Sequence, residues 1–187
     1  MRIIAGDFRG RQIQTIKGDA TRPTSDKVKE SIFNMIGQFF DGGFVLDLFA
    51  GSGNLGIEAL SRGADTAVFV DASMNAIKMI KGNIGNLKLE NRAQIYRNDA
   101  FKALNVLGKK GNKFDLIFLD PPYGKIAITA LLEQIVVHDL LNEGGLVVCE
   151  CAEGMEIGYE GSQLRKIRHE IYGNIQILIL EKGGINR

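Results

Sequence analysis

Three glycines and four aspartates stand at spacings that could build one nucleoside-binding cleft. Gly51, Gly53 and Gly56, in Val45-Leu46-Asp47-Leu48-Phe49-Ala50-Gly51-Ser52-Gly53-Asn54-Leu55-Gly56, match a G-x-G-x-x-G spacing. Glycines at such positions permit a tight turn and close approach of the backbone to a ligand. The same spacing also describes dinucleotide sites. Asp47 argues against a pyrophosphate, because it sets a carboxylate beside the loop, and a cationic, amino-acid-bearing ligand fits better. Asp71, twenty residues beyond Gly51, is placed to accept two hydrogen bonds from ribose hydroxyls. Asp99, in Arg97-Asn98-Asp99-Ala100, is placed to accept from an exocyclic adenine amine. Taken singly, each aspartate is more commonly a helix N-cap; their combined placement favours nucleoside binding.

The most specific run is Asp120-Pro121-Pro122-Tyr123, which follows the apolar stretch Phe114-Asp115-Leu116-Ile117-Phe118-Leu119. Two prolines with fixed φ and no N–H make a rigid corner. The Asp120 carboxylate and the Pro121 carbonyl both accept hydrogen bonds, which suits a planar amino group with two N–H bonds. An aromatic ring at Tyr123 can stack on the base that carries such an amine. An exocyclic amine is a poor nucleophile, since its lone pair is delocalised into the ring. Two acceptors can orient it and stabilise the positive charge that builds as it attacks.

These residues need a scaffold, and the chain supplies a strand–helix alternation. The spacing predicts strands at 44–49, 66–70, 93–96, 114–119 and 145–151, and a closing hairpin from 163–171 and 175–180 around Tyr172-Gly173-Asn174. Helices are predicted from a Thr24 or Ser25 cap to about Phe40, over 55–62, from a Ser73 cap to about Leu87, over 101–107, and from the proline corner to about Leu141. Such alternation implies an α/β fold with a mostly parallel sheet covered on both faces. Ligands then bind beyond the carboxyl ends of the strands, where the glycines, Asp71, Asp99 and Asp120 fall. The first residues, 2–5 and 11–16 around Gly6 and Gly10, read as a β-hairpin.

The composition, 45% apolar and 24% charged over 187 residues, excludes a disordered tail, a collagen-like chain and a coiled coil. No apolar run reaches the roughly 18–20 residues of a membrane span, and the N-terminus has no signal-peptide core. A cytoplasmic location without membrane attachment is therefore expected. Cys149 and Cys151 lie two apart, on one face of a strand, and read as reduced core thiols. With only His138 and His169 beside them, no zinc pattern forms. Residues 1–29 carry seven Lys/Arg against three Asp, net +4, while the remainder carries 16 basic and 19 acidic groups, net −3. A basic front suggests a docked polyanion; a solvated charged hairpin explains it equally well.

The set D-L-F-A-G-S-G at 47–53, V-D at 70–71, N-D-A at 98–100 and D-P-P-Y at 120–123 resembles the class I S-adenosylmethionine-dependent methyltransferases of the amino-group type. Arg2-Ile3-Ile4-Ala5-Gly6 with Arg9-Gly10-Arg11, Thr21-Arg22-Pro23-Thr24 and Lys29-Glu30-Ser31-Ile32-Phe33-Asn34 is similar to the RsmD family, bacterial methyltransferases of small-subunit ribosomal RNA that modify the N2 amine of one guanine. The likeness spans nearly the whole chain, with Asn54 where a small residue is more usual. It implies a three-layer Rossmann-like methyltransferase fold, a seven-stranded mostly parallel sheet with one antiparallel strand. Residues 1–24 would form a basic hairpin extension and 25–187 the methyltransferase domain.

The resemblance also implies roles. Gly51 and Gly53 would approach the methionine end of S-adenosylmethionine, with Asp47 in the same cofactor-binding set. Asp71 would hold its ribose, and Asp99, with Ala100 beside it, its adenine. Arg22 and Thr24 would line the methionine side. Asp120, Pro121 and Tyr123 would hold the guanine for catalysis, with Pro122 in the same substrate corner. Arg9 and Arg11 would bind RNA phosphates. The expected reaction is direct methyl transfer to a guanine N2 of 16S ribosomal RNA, free or in a partly assembled small subunit. It would proceed on a monomer, leave S-adenosylhomocysteine and need no metal. An adenine-N6 or tRNA methyltransferase, and an RNA-binding assembly factor without activity, stand as rivals.

Overall fold

The computed structural model describes residues 1–15, 25–122, 124 and 128–183. Among the described residues, five α-helices and seven strands follow the predicted order, alternating up to β5: α1 (Asp26–Ile36), β1 (Phe44–Asp47), α2 (Asn54–Ser61), β2 (Thr66–Asp71), α3 (Met74–Leu87), β3 (Ala93–Arg97), α4 (Ala100–Lys109), β4 (Phe114–Leu119), α5 (Ile128–Val137), β5 (Leu141–Ala152), β6 (Leu164–Tyr172) and β7 (Ile175–Lys182). The strands form one sheet in the order β3-β2-β1-β4-β5-β7-β6. β1 to β5 run parallel, and β7 is antiparallel to both of its neighbours.

The alternation arises because both sheet faces are covered. Side chains of β1, β2 and β4 point alternately into two cores. Val45, Phe69 and Phe118 meet α1, α2 and α3, and Leu46, Val68 and Ile117 meet α4 and α5. β2 is therefore buried along its middle, Ala67 to Val70, rather than alternating apolar and polar. Cys149 and Cys151 share the α4/α5 face, buried and unbonded to each other. Burial pushes both thiols up from their ordinary pKa.

Several boundaries differ from expectation, each for a backbone reason. α1 stops at Ile36 rather than Phe40, because Gly37 turns to φ 113°. α5 ends at Val137 rather than Leu141. Asp139 takes a left-handed φ of 50°, and the Leu140 N–H bonds back to the Ile135 carbonyl. Leu141 then opens β5 opposite Phe114, four residues earlier than predicted. The N-terminal hairpin has a short ladder, an isolated antiparallel bridge between Arg2 and Gln12. Bonds from Ile3 N to Arg11 O (3.0 Å) and from Ile13 N to Met1 O (2.9 Å) close it, and Ile3 and Ile13 enter the α1–α3 core.

Candidate active site

The carboxyl ends of β1, β2 and β4 lie side by side. Leu48, just past β1, donates its N–H to the Phe118 carbonyl of β4 (3.2 Å), and Ala50 donates to the Val70 carbonyl of β2 (3.0 Å). Gly51 is three residues beyond the first bond and Asp120 two residues beyond it. The glycine loop and the proline corner therefore leave neighbouring central strands at the carboxyl end of the sheet. Pro121 is buried there, and Asp120 and Pro122 are half-buried. Tyr123, Arg22 and Thr24, also expected at this site, lie outside the described residues.

Local chemistry shapes the loop. Gly51 and Gly53 adopt φ of 56° and 82°, the left-handed region that side chains avoid. A Cβ at Gly51 would meet no atom within 4 Å, so this backbone is open to approach. Gly53 N–H bonds the Ala50 carbonyl at 2.6 Å, closing the turn. Gly56 serves packing instead: a Cβ there would fall 2.4 Å from the Phe69 ring, the role of close helix–strand contact.

The aspartates divide their work. Asp71 accepts from Gly51 N (2.9 Å) with one oxygen and from Ser73 N (2.8 Å) with the other, joining the glycine loop to the start of α3. Ser73 caps that helix, as predicted. Asp99 is the exposed N-cap of α4, accepting from Lys102 N (3.2 Å), and its neighbour Ala100 is buried. Asp47 is buried and accepts from Gly56 N (2.9 Å). Burial pushes its carboxyl up to about 7; the Gly56 bond opposes the shift and nearby Asp71 adds to it.

The basic N-terminal arm, residues 1–15, is pinned beside this loop. Glu58 accepts from the N–H groups of Ile4 (2.9 Å) and Ala5 (3.0 Å). The Ser61 hydroxyl donates to the Ala5 carbonyl and accepts from Phe8 N. Fully buried Glu58 also pairs with Lys29 (3.0 Å) and Arg62 (2.8 Å). Burial lowers the Lys29 pKa, and the Glu58 carboxylate opposes that shift. Arg9 and Arg11 are both exposed, and Arg11 donates to the Asn86 carbonyl of α3 (2.9 Å).

Lys29, Glu58 and Asn83 were not among the predicted functional residues, yet they hold the arm and the loop in place. Each left a signal. Glu58 and Arg62 stand four apart on α2. Asn83 interrupts the apolar stripe Ile77, Ile80, Ile84 and Leu87 of α3, where a polar residue needs a partner. Among the described residues, no group of His, Cys, Asp and Glu could hold a metal ion, and no helix is long and apolar enough to cross a membrane.

Comparison with known proteins agrees with this geometry. The family model described as conserved hypothetical protein 95 matches residues 1–181. YlbH of Bacillus subtilis (strain 168) is 48% identical over 98% of this chain and 100% of its own length. Ribosomal RNA small subunit methyltransferase D of Haemophilus influenzae is 38% identical over 80% of this chain and 78% of its own. The solved structure of yhhF from Escherichia coli superposes with a TM-score of 0.84 at 26% identity, covering 98% of each chain. The fold is thus the Rossmann-like fold of methyltransferases, and the chain belongs to the conserved hypothetical protein 95 family, that of the RsmD ribosomal RNA methyltransferases.

Proposed function

We propose that this protein transfers a methyl group from S-adenosylmethionine to the exocyclic N2 amine of a guanine in 16S ribosomal RNA. The observation that carries the reading is the meeting of the glycine loop and the Asp-Pro-Pro corner at adjacent ends of β1 and β4. The residues present suit the cofactor. Gly51 leaves room for backbone approach, and Asp71 and Asp99 offer acceptors to hydroxyl and amine donors. Ribosomal RNA methyltransferases among the relatives favour the same substrate class.

Bound S-adenosylmethionine supplies an electrophilic methyl carbon on a sulfonium. The amine nitrogen would take that carbon from sulfur, forming an N–C bond as the C–S bond breaks, with S-adenosylhomocysteine and one amine proton released. Asp120 and the Pro121 carbonyl accept from the two N–H bonds, hold the amine in line and stabilise its growing positive charge. Asp120 then passes the released proton to solvent. Pro121 and Pro122 fix the corner, so little reorganisation accompanies the attack. The guanine enters unpaired, because its amine is otherwise buried in the duplex. The enzyme acts as a monomer in the cytoplasm on 16S RNA, free or in a partly assembled small subunit.

Replacing Asp120 with Ala tests the role. Methylation of 16S RNA should fall by about 100-fold or more, while S-adenosylhomocysteine binding by calorimetry stays within about twofold. Undiminished turnover would overturn it. Mapping the modified nucleotide completes the test: a methylated adenine would replace guanine as the target, and methylation of tRNA alone would replace 16S RNA as the substrate.

A further inference from the structure

Asn83 sits on α3, 2% exposed, between the N-terminal arm and the glycine loop. Its Oδ1 accepts from Gln14 N (2.9 Å). Its Nδ2 donates to the Gln14 carbonyl (3.0 Å) and to the Ser52 carbonyl (2.9 Å), inside the Gly51-Ser52-Gly53 turn. The two N–H bonds of one buried amide are thus committed to two different segments. A buried cation, Lys29, does the same on the other side. Lys29 Nζ donates to the Arg2 carbonyl of the arm (2.6 Å) and to Asn54 Oδ1 (2.7 Å), the residue after Gly53. Ser52 within the turn is therefore tied to the arm through Asn83, and Asn54 just after it through Lys29. Both strands of the arm are engaged, one through Arg2 and the other through Gln14.

Departure of either segment strands a buried donor. If the arm lifts from Gln14, the Asn83 amide keeps only its Ser52 bond; if the loop opens, it keeps only its Gln14 bonds. An unmade buried hydrogen bond is costlier than a solvent-exposed one, so each segment is more stable when the other is seated. We propose that Asn83 is a positioning residue that makes the arm and the cofactor loop one unit, so that RNA held by the arm and the cofactor held by the loop bind with positive cooperativity. The inference rests on the function proposed above, with Arg9 and Arg11 on the RNA side and Gly51 to Gly53 on the cofactor side. Linkage makes the effect reciprocal: each ligand tightens the other by one factor.

The test uses the full chain, transcribed 16S ribosomal RNA and S-adenosylhomocysteine, which permits no turnover. Affinity for S-adenosylhomocysteine is measured by calorimetry with and without RNA, and affinity for RNA with and without S-adenosylhomocysteine. In the wild-type protein each ligand should tighten the other by about fivefold or more. Asn83→Asp conserves volume and still accepts from Gln14 N, but faces the Ser52 and Gln14 carbonyls without a donor. It should bring both factors to about one, while each ligand still binds alone. A merely structural role would weaken both affinities and leave the factor unchanged. Hydrogen exchange on the wild-type protein needs no variant: RNA should slow exchange of the residue 51–54 amides. Independent binding in the wild type, unaltered exchange on adding RNA, or full cooperativity in a folded Asn83→Asp protein would each overturn the inference. If neither ligand binds, or no methyl group is transferred when S-adenosylmethionine replaces S-adenosylhomocysteine in a parallel assay, the functional reading fails with it. If both bind and methylation proceeds with a coupling factor of one, only the role of Asn83 fails.

Discussion

A carboxyl group closed off from water at the end of β1 must give up either its charge or its solvation. Asp47 is 2% exposed, and burial raises its pKa from 3.8 to about 7 although Gly56 N–H bonds one oxygen. In the unfolded chain the same group ionises near its ordinary value. Between those two values the folded protein keeps a proton that the unfolded chain has released. The stabilisation from this site is complete below about pH 4. It declines by about 1.4 kcal/mol per pH unit above that, and is gone once the pH passes the folded value of about 7. Asp47→Asn retains an acceptor for Gly56 N and cannot ionise. Urea denaturation from pH 5 to 7 should therefore show wild-type stability falling relative to the variant by about 1.4 kcal/mol per unit. Parallel pH profiles for the two proteins would rule out a neutral buried Asp47. Asp71, which bridges the loop and α3, is half-buried and lies close enough to add to the Asp47 shift, so the two carboxyls at this rim belong to different environments.

At the scale of elements, α2 is held against β2 by the absence of a side chain. A Cβ on Gly56 would lie 2.4 and 2.9 Å from atoms of the Phe69 ring, and Phe69 is fully buried. The ring has nowhere to swing. Gly56→Ala should destabilise the protein by about 1–3 kcal/mol, the range for overpacking, despite the better helix propensity of alanine. Gly82, on the exposed side of α3, meets nothing within 4 Å. There the same substitution should add about 0.5–1 kcal/mol. Equal effects at the two sites, read from thermal melts, would dismiss the packing explanation. This pair also marks what was legible in the sequence. The glycine spacing located the turn, but not which glycine lies open and which packs on Phe69, because that depends on β2. The central strands β1, β2 and β4 were legible because both faces are apolar, and Ser25 and Ser73 were legible as caps because the signal is local. The end of α5 was not: Val136 to Leu141 holds neither Gly nor Pro, and the chain turns on a left-handed Asp139. The arm's anchors were invisible for a related reason, since Glu58 bonds Ile4 and Ala5 across more than fifty residues of sequence.

Over the whole molecule, the first 29 residues carry a net +4 and the remainder −3, and the described part of that basic segment, residues 1–15, is seated on α2 and α3. The structure also separates the charges in that segment by duty. Lys29 is buried against Glu58, and Arg2 pairs with Asp26 at 3.3 Å. Arg9 and Arg11 remain exposed on the arm, whose Gln14 is linked to the glycine loop through Asn83. Arg168 is also exposed, but on β6, the edge strand farthest from β1 to β3 on that side of the sheet. If the arm meets RNA phosphates as proposed, each contact releases condensed counterions and steepens the salt dependence of binding. Arg9→Ala should then weaken 16S RNA binding and make the slope of log affinity against log salt shallower by about 0.7–0.9. Arg168→Ala, removing the same charge from the far edge, should leave the slope unchanged. Net charge alone predicts the same small change for both variants, so the comparison separates a docking face from a basic protein. Filter binding of 16S RNA over a salt series measures it. An unaltered slope in Arg9→Ala, or equal slopes in the two variants, would return the arm's charges to ordinary solvation.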